Sequence, residues 1–488
     1  MSVTSLLIAN RGEIAIRIIR AATELGIRTV SIYSEDDARS LHTRRADSAI
    51  ALRGSGVAAY LDIEQIVALA REAGCDAVHP GYGFLSENAA FARRCIESGL
   101  TFVGPTPETL ELFGDKGQAR ALAAHLGVPV LPGTSGPTSL DEAHAFVESL
   151  GPGGAVMVKA VSGGGGRGMR LVERRDDLDS AYKRCQSEAK SAFGNGDVYV
   201  EQLIRRARHI EIQVIGDGSG EVSHLWEREC SIQRRNQKIV EIAPSPTLPT
   251  AIRDQLTGAA LRLASEVGYR SLGTFEFLVD ASEGGSGFAF IEANPRLQVE
   301  HTVTEEVTGV DLVRAQLQIA GGATLAELGL LQRDIPPPRG FAIQTRITME
   351  SMAADGSIRP AGGTLTAFEL PTVAASAPIR SPTPATPPAR TSIRCSPSSS
   401  STRRPTITRP PAPLPTARSL NSASKALAPT SLSYRRCFST RTLSPTTSTR
   451  ASSKTTPPNW WPKAATRAAS STTISRNQPD LPRRVWRA

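Results

Sequence analysis

The sequence predicts a doubly wound α/β domain at the N-terminus, an α+β domain after it, and a C-terminal stretch that cannot fold by itself. Three observations carry this. LLIAN, IAIRIIRAATELG and IRTVSIYS, between Leu6 and Ser34, read as strand, amphipathic helix and strand, the β-α-β unit of a parallel sheet. Beyond residue 150 the runs VMVKA, RHIEIQV and GTFEFLV read as strands, the last alternating with period two. From Pro371 onward there are 19 of the chain's 34 prolines, no glycine and no apolar periodicity. A segment so composed cannot bury enough apolar surface to offset its ordering entropy.

Charge divides at the same place. The whole chain carries +9, but the last 118 residues hold 19 Lys plus Arg against the single acid Asp480. The preceding 370 residues hold 37 basic and 46 acidic side chains, a net charge of −9. The basic pI therefore belongs to the tail, and the folded part gives no reason to expect a nucleic-acid partner. The six cysteines (75, 95, 185, 230, 395 and 437) show no C-x-x-C spacing and read as reduced thiols. No window is apolar enough for a membrane span or signal core, so a cytoplasmic protein is expected. At 488 residues, two to four domains are expected.

Within the first unit, RGE is a tight turn and Gly26 ends the helix. There is no G-x-G-x-x-G, so a dinucleotide site is not supported and Gly12 reads as structural. HPGYGFLSENAAFARRC places a Gly-rich loop before a helix, with Ser86 as its expected N-cap.

Two later patterns bear on chemistry. SGGGGRGM follows the strand VMVKA and its Lys159. Consecutive glycines let backbone N–H groups approach phosphate oxygens, although composition alone fits a linker equally well. In FIEANPRLQVEHTVTE, Glu292, Asn294 and Arg296 are spaced by two and project from one strand face. GTFEFLV carries Glu276 and, through the turn-rich DASEGGSG, forms a hairpin that can bring Glu276 to Glu292. Two carboxylates and an amide oxygen suit Mg²⁺ or Mn²⁺, hard cations that take oxygen ligands; a solvated edge strand is the bland reading of a lone E-x-N. ECSIQRRNQK adds a cationic run ending in Lys238, which by composition is a solvated face.

LLIANRGEIAIRIIRAA, HPGYGFLSEN, FGDK, VMVKAVSGGGGRGM, RHIEIQV, ECSIQRRNQK and the sixteen residues from Phe290 occur in the order found in biotin carboxylases, ATP-grasp ligases that the chain resembles from Leu6 to about Leu370. The resemblance implies a biotin carboxylase N-terminal domain (1–112), an ATP-grasp domain (113–333) and the start of a third domain (334–370), with residues 371–488 as a disordered tail. Within that family it resembles the carboxylase regions of multifunctional acyl-CoA carboxylases. It implies that Lys116, Lys159, Gly163, Gly164, Gly165 and Gly166 hold nucleotide phosphates, with Gln233 and Asn236 beside them. The backbone of Glu201, Gln202, Leu203 and Ile204 would pair with adenine, with His209 nearby. Glu276, Glu292 and Asn294 would take the metal. Lys238, Arg296, Gln298 and Val299 would hold bicarbonate, Glu300 would be the base, and Arg346 would stabilise the biotin enolate. Asn236 stands where the family usually has histidine.

The resemblance further implies ATP, Mg²⁺ and bicarbonate as cofactors and co-substrates, and biotin on a separate carrier, because no M-K-M occurs. It implies a carboxyltransferase partner and homodimerisation of intact relatives. The N-terminal domain is expected to contribute little chemistry. After FELP the family pattern stops, and TSIRCSPSS reads like an out-of-frame product of a DxLLAK-like segment, so a truncated third domain and impaired activity are expected. Two alternatives stand beside this: a catalytically impaired ATP-binding remnant, and another carboxyphosphate-forming ligase of the carbamoyl-phosphate synthetase type.

Overall fold

Five short strands, β1 (Ser5–Ile8), β2 (Arg28–Tyr33), β3 (Ser48–Ala51), β4 (Ala77–His79) and β5 (Thr101–Phe102), form one parallel sheet in the order β3-β2-β1-β4-β5. The order reverses beside β1, as in doubly wound folds. The computed structural model describes residues 2–161, 168–234, 236–281, 287–347, 350–353, 358–360 and 390–395. Helix α1 (Gly12–Glu24) presents Ile14, Ala15, Ile18, Ile19, Ala21 and Ala22 to the core, and its entry turn puts Gly12 at φ +68°. Glycine alone adopts that angle freely. Gly26, at φ +71°, follows the helix as expected. Helices α2 (Ile63–Glu72) and α3 (Ala89–Glu97) complete the layers. Ser86 does not cap α3: Asn88 does, accepting from the Phe91 N–H at 2.8 Å. The turn residues continue two positions farther than the sequence reading placed them.

Helices α4 (Pro107–Gly114) and α5 (Lys116–His125) lead into the second domain. Asp115 caps α5 through the N–H groups of Gly117 and Gln118, which fixes Lys116 at the first helical position. After α6 (Leu140–Ser149), strands β6 (Val156–Ala160), β7 (Met169–Val172) and β8 (Val198–Gln202) make a small antiparallel sheet in the order β7-β6-β8, backed by α7 (Leu178–Phe193). The glycines 163–166 lie outside the described residues, between β6 and β7.

The larger sheet contains β9 (Ala207–Asp217), β10 (Val222–Arg234), β11 (Gln237–Ala243), β12 (Arg270–Asp280), β13 (Phe288–Asn294) and β14 (Ala342–Ile347). Its order is β13-β12-β9-β10-β11-β14, antiparallel at each of these pairings. Period-two alternation gives it two unlike faces. Ile210, Ile212, Val214, Phe275 and Phe277 point into a core with α8 (Thr250–Glu266), while His209, Glu211, Gln213, Thr274 and Glu276 occupy the opposite face. Helices α9 (His301–Thr308) and α10 (Leu312–Ala320) follow β13, and α10 shares a core with α1.

Past β14 a short hairpin pairs β15 (Glu350–Met352) with β16 (Ile358–Pro360). One further strand, β17 (Arg390–Cys395), pairs parallel with β14, Ala342 opposite Arg390 through Ile347 opposite Cys395. This departs from the expectation of a structureless segment after residue 370. Thr391, Ile393 and Cys395 alternate in that strand, a short pattern that proline counting overlooked. The remainder of the expected tail lies outside the described residues.

Candidate active site

The polar face of the large sheet and the inner face of the small one enclose a cavity of about 590 Å³. Its lining includes every described residue singled out from the sequence for nucleotide, bicarbonate, metal or biotin contact: Lys116, Lys159, Glu201–Ile204, His209, Gln233, Asn236, Lys238, Glu276, Glu292, Asn294, Arg296, Gln298, Val299, Glu300 and Arg346.

At one end, β6 alternates so that Met157 and Lys159 face the cavity. Lys159 Nζ pairs with Glu201 on β8, and Glu201 also meets Arg120 Nη1 at 3.3 Å. Burial holds the Lys116 amine below its usual range, opposed by the nearby charge of Glu292. Strand β8 stops at Gln202. The Gln202 N–H donates to Pro132 O and the Leu203 N–H to Ala155 O, at 2.8 and 2.9 Å. The Ile204 N–H makes no hydrogen bond among the described residues.

Across the floor, register aligns charged residues in one row. Glu292 on β13 stands opposite Glu276 on β12, Glu276 opposite Glu211 on β9, and Glu211 opposite Arg228 on β10. Like charges directly opposite one another in a sheet repel. Cations inserted between them relieve this. Lys238 Nζ reaches Glu276 Oε1 at 2.9 Å and Glu300 Oε1 at 2.8 Å, and also pairs with Glu211. Burial would raise the Glu211 and Glu300 carboxyls, but Lys238 prevails and holds both down at about 2. The three carboxylates in turn drive the Lys238 amine well above its ordinary value, against its burial. His209 Nε2 lies 2.7 Å from Glu276 Oε2; burial would lower its ring, yet the Glu276 and Glu211 charges lift it to about 9. Arg228, fully buried, donates to Glu211, Gln213, Thr274, Gln298 and Thr304.

The metal candidates fit a hard cation. Burial and then the charge of Glu276 push the Glu292 carboxyl up, repulsion that a divalent cation between the two would remove. Asn294 Nδ2 donates to Glu276 at 2.8 Å, and its Oδ1 accepts from Arg296 Nη2 at 2.8 Å. The hairpin register omits Ile291 between Phe290 and Glu292, a β-bulge that brings both Ile291 and Glu292 to the cavity. Such extra residues re-aim side chains beside active sites.

At the far end, Arg346 on β14 spans two carboxylates, Nε to Glu241 Oε1 at 2.5 Å and Nη2 to Glu300 Oε2 at 3.0 Å. Arg296 Nε lies 3.1 Å from Glu87 Oε2, and Gln298 Nε2 donates to Glu276 at 2.9 Å. Glu87 belongs to the N-terminal domain, which thus reaches Arg296 through an ion pair. Asn236 has φ +63° in the two-residue connection between Arg234 and Gln237, which are paired across β10 and β11. Asparagine tolerates this left-handed angle better than most residues. The sequence reading treated Asn236 only as a phosphate contact. Glu241 and Glu211 were given no role there, because a lone glutamate in a strand carries no motif.

Residues 2–110 match the biotin carboxylase N-terminal domain family, and residues 115–328 the family described as carbamoyl-phosphate synthase L chain, ATP binding domain. The biotin carboxylase domain of Hydrogenobacter thermophilus 2-oxoglutarate carboxylase, solved as a dimer with MgADP, ADP and bicarbonate, is 45% identical. The match covers 72% of this chain and 76% of that one, with a TM-score of 0.68. The chain belongs to the biotin carboxylase family of ATP-grasp ligases. The biotin carboxylase domain of a single-chain bacterial carboxylase is 55% identical over 71% of this chain and 75% of that one, with a TM-score of 0.63. Pyruvate carboxylase of Aspergillus niger is 53% identical over 355 residues, 72% of this chain and 29% of that protein. The chain thus spans under a third of the length of such curated relatives. The carbamoyl-phosphate synthetase alternative is not favoured, because residues 2–110 match a family described for biotin carboxylase and these relatives are biotin-dependent carboxylases. No helix among the described residues is long and apolar enough to cross a membrane.

Proposed function

We propose that this chain carboxylates biotin at the expense of ATP and bicarbonate, with the roles divided along its single cavity. The observation that carries this is the placement of Glu300 between Lys238 and Arg346 at one end, while Lys116, Lys159 and the Glu201–Ile204 edge line the other. Adenine would meet the Glu201–Ile204 edge, and the phosphates the two lysines, compact charges suited to that use. Glu276, Glu292 and Asn294 would hold Mg²⁺ or Mn²⁺, which neutralises phosphate charge during transfer.

Bicarbonate would sit against Arg296, Gln298 and the Val299 backbone, where a planar fork suits a planar anion. Glu300 then removes its proton as it attacks the γ-phosphoryl group, giving ADP and carboxyphosphate. With its carboxyl held at about 2, Glu300 is a weak base in this arrangement. Phosphate oxygens that draw Lys238 away would raise its basicity when the substrates are in place. Carboxyphosphate breaks to CO₂ and phosphate; phosphate takes the N1 proton of biotin, and Arg346 stabilises the enolate that attacks CO₂.

The domain limits that accompany this reading are 1–112, 113–333 and 334–370, with a distinct segment after 370; matches over 355 to 370 residues of the relatives support the last limit. The companions would be a biotin carrier, a carboxyltransferase and a second copy of the chain, in the cytoplasm. ATP hydrolysis measured with bicarbonate and free biotin, each omitted in turn, tests the assignment. Hydrolysis that depends on both supports it. Tight MgATP binding without any such dependence would leave an ATP-binding remnant instead.

A further inference from the structure

Arg346 is held by two carboxylates in different surroundings. Glu300 lines the cavity; Glu241 lies behind, on β11, with no exposed surface. A bulge brings Glu241 there. The β10–β11 register pairs Gln233 with Lys238 and Ile232 with Val240, leaving Ile239 as an extra residue. Lys238 and Glu241, three apart, therefore share a face, which a regular strand forbids. Lys238 takes one oxygen of Glu300, and Arg346 links the other oxygen to Glu241. Glu241 uses only Oε1; its buried Oε2 has no hydrogen-bond partner among the described residues. Directly opposite on β14 stands Gln344, whose Nε2 is likewise without a partner, while its Oε1 accepts from Thr302 at 2.6 Å.

We propose that Glu241 is a positioning residue for the biotin half of the reaction: it clamps Arg346 by the Nε edge and, by gaining or losing a proton, sets how strongly that guanidinium acts on Glu300 and on the substrate beyond. The proposal rests on the biotin carboxylase reading of the cavity. The clamp leaves only the Nη edge of Arg346 to turn toward the cavity, which fixes where an enolate oxygen could be met. The groups facing Glu241 are Arg346 and Gln344 from β14, Glu300 from the segment before α9, Glu211 from β9 and Cys230 from β10. Burial raises the Glu241 carboxyl; Arg346 opposes it, Glu300 and Glu211 add to it, and the result is about 7. A proton on Glu241 near neutrality leaves Arg346 paired with Glu300 alone and strengthens its pull there. Its loss divides the guanidinium between two anions.

The full chain, assayed with MgATP, bicarbonate and free biotin, tests this through Glu241→Ala and Glu241→Gln. In the alanine variant, biotin-dependent turnover is expected to fall on the order of a hundredfold, the scale of a misplaced catalytic group, while KM for ATP moves by less than about twofold. The glutamine variant keeps an acceptor for Arg346 Nε and should recover most of the rate. It should also lose the inflection near pH 7 expected of the unmodified chain. Equal loss of ATP affinity and turnover in the alanine variant, or an unchanged inflection in the glutamine variant, overturns the proposal. A parent chain with no biotin-dependent turnover overturns the function assigned above instead, and the clamp is then judged by thermal unfolding. A carboxyl raised from 4.5 to about 7 contributes stability below its unfolded value that is lost as pH rises through 7. The Tm advantage of Glu241→Gln should therefore grow between those pH values, and a flat difference overturns the proposal.

Discussion

The two ends of the cavity solve the problem of buried charge differently. At the nucleotide end, Lys159 leans on the single carboxylate Glu201, which keeps Arg120 as a second partner. A ligand phosphate can take Lys159 and leave Glu201 paired. At the carboxylation end, one ammonium, Lys238, serves Glu211, Glu276 and Glu300 together. No charge there can move without exposing another. The first end is built for exchange of partners, and the second for fixed geometry, where water-excluded electrostatics count for most.

The largest expected effect is on turnover at the fixed end. Glu300→Gln removes the proton acceptor and should lower bicarbonate-dependent ATP hydrolysis by about 10²–10⁴-fold, the usual contribution of a general base. MgATP affinity, measured by calorimetry, should stay nearly unchanged because the nucleotide contacts lie elsewhere. Matching losses in both would make Glu300 a structural residue. Next comes stability. Lys238→Met strands three carboxylates, and removal of one partner from a buried ion pair costs about 3–5 kcal/mol. The sign of its pH dependence is fixed by Glu211 and Glu300, held near 2 against an ordinary 4.5. Depressed carboxyls stabilise above the unfolded value and lose that contribution as pH falls through the folded one. The urea-unfolding gap between parent and variant should be widest above pH 4.5 and close toward pH 2.

Most of the exchanging end was legible in the sequence, because its residues sit in contiguous motifs: VMVKA gives Lys159 on a strand before a glycine run, and FGDK marks Lys116 through the resemblance. The Glu276–Glu292 pairing was legible too, since a hairpin with alternating strands has few registers. The fixed end was only half readable. Arg228, Glu211 and Glu241 come from three adjacent strands, and nothing local marks them. The bulges at Ile291 and Ile239 shift side chains between faces, which period-two counting cannot foresee. Glu87 reaches Arg296 from another domain, a contact of long sequence separation. Asn236 was read only as a phosphate neighbour, while its backbone angle supplies a second reason for its presence.

Two smaller effects sharpen the contrast from the exchanging side. Lys159→Ala should weaken MgATP binding by about 1.5–3 kcal/mol, the value of a charged hydrogen bond. It should disturb stability far less than Lys238→Met, since Glu201 retains Arg120 3.3 Å away. Comparable destabilisation by the two variants would erase the distinction between the ends.

The smallest effect expected is at Asn236, where ligand contact and backbone angle can be separated. Histidine also tolerates the left-handed region, so Asn236→His should keep the hairpin and add a donor that can become cationic. MgATP affinity should rise by no more than about 1 kcal/mol, with more of the gain at pH 6 than at pH 8 as the imidazole charges. Asn236→Ala keeps neither property: it loses the amide donor and places a side chain without local hydrogen bonding at φ +63°. That angle costs an ordinary residue about 1–2 kcal/mol, which unfolding should register even without nucleotide. If alanine weakens nucleotide binding but leaves unfolding untouched, Asn236 serves the ligand alone. If histidine lowers affinity, the residue is kept for its turn, and the phosphate contact expected from the resemblance does not operate in this chain.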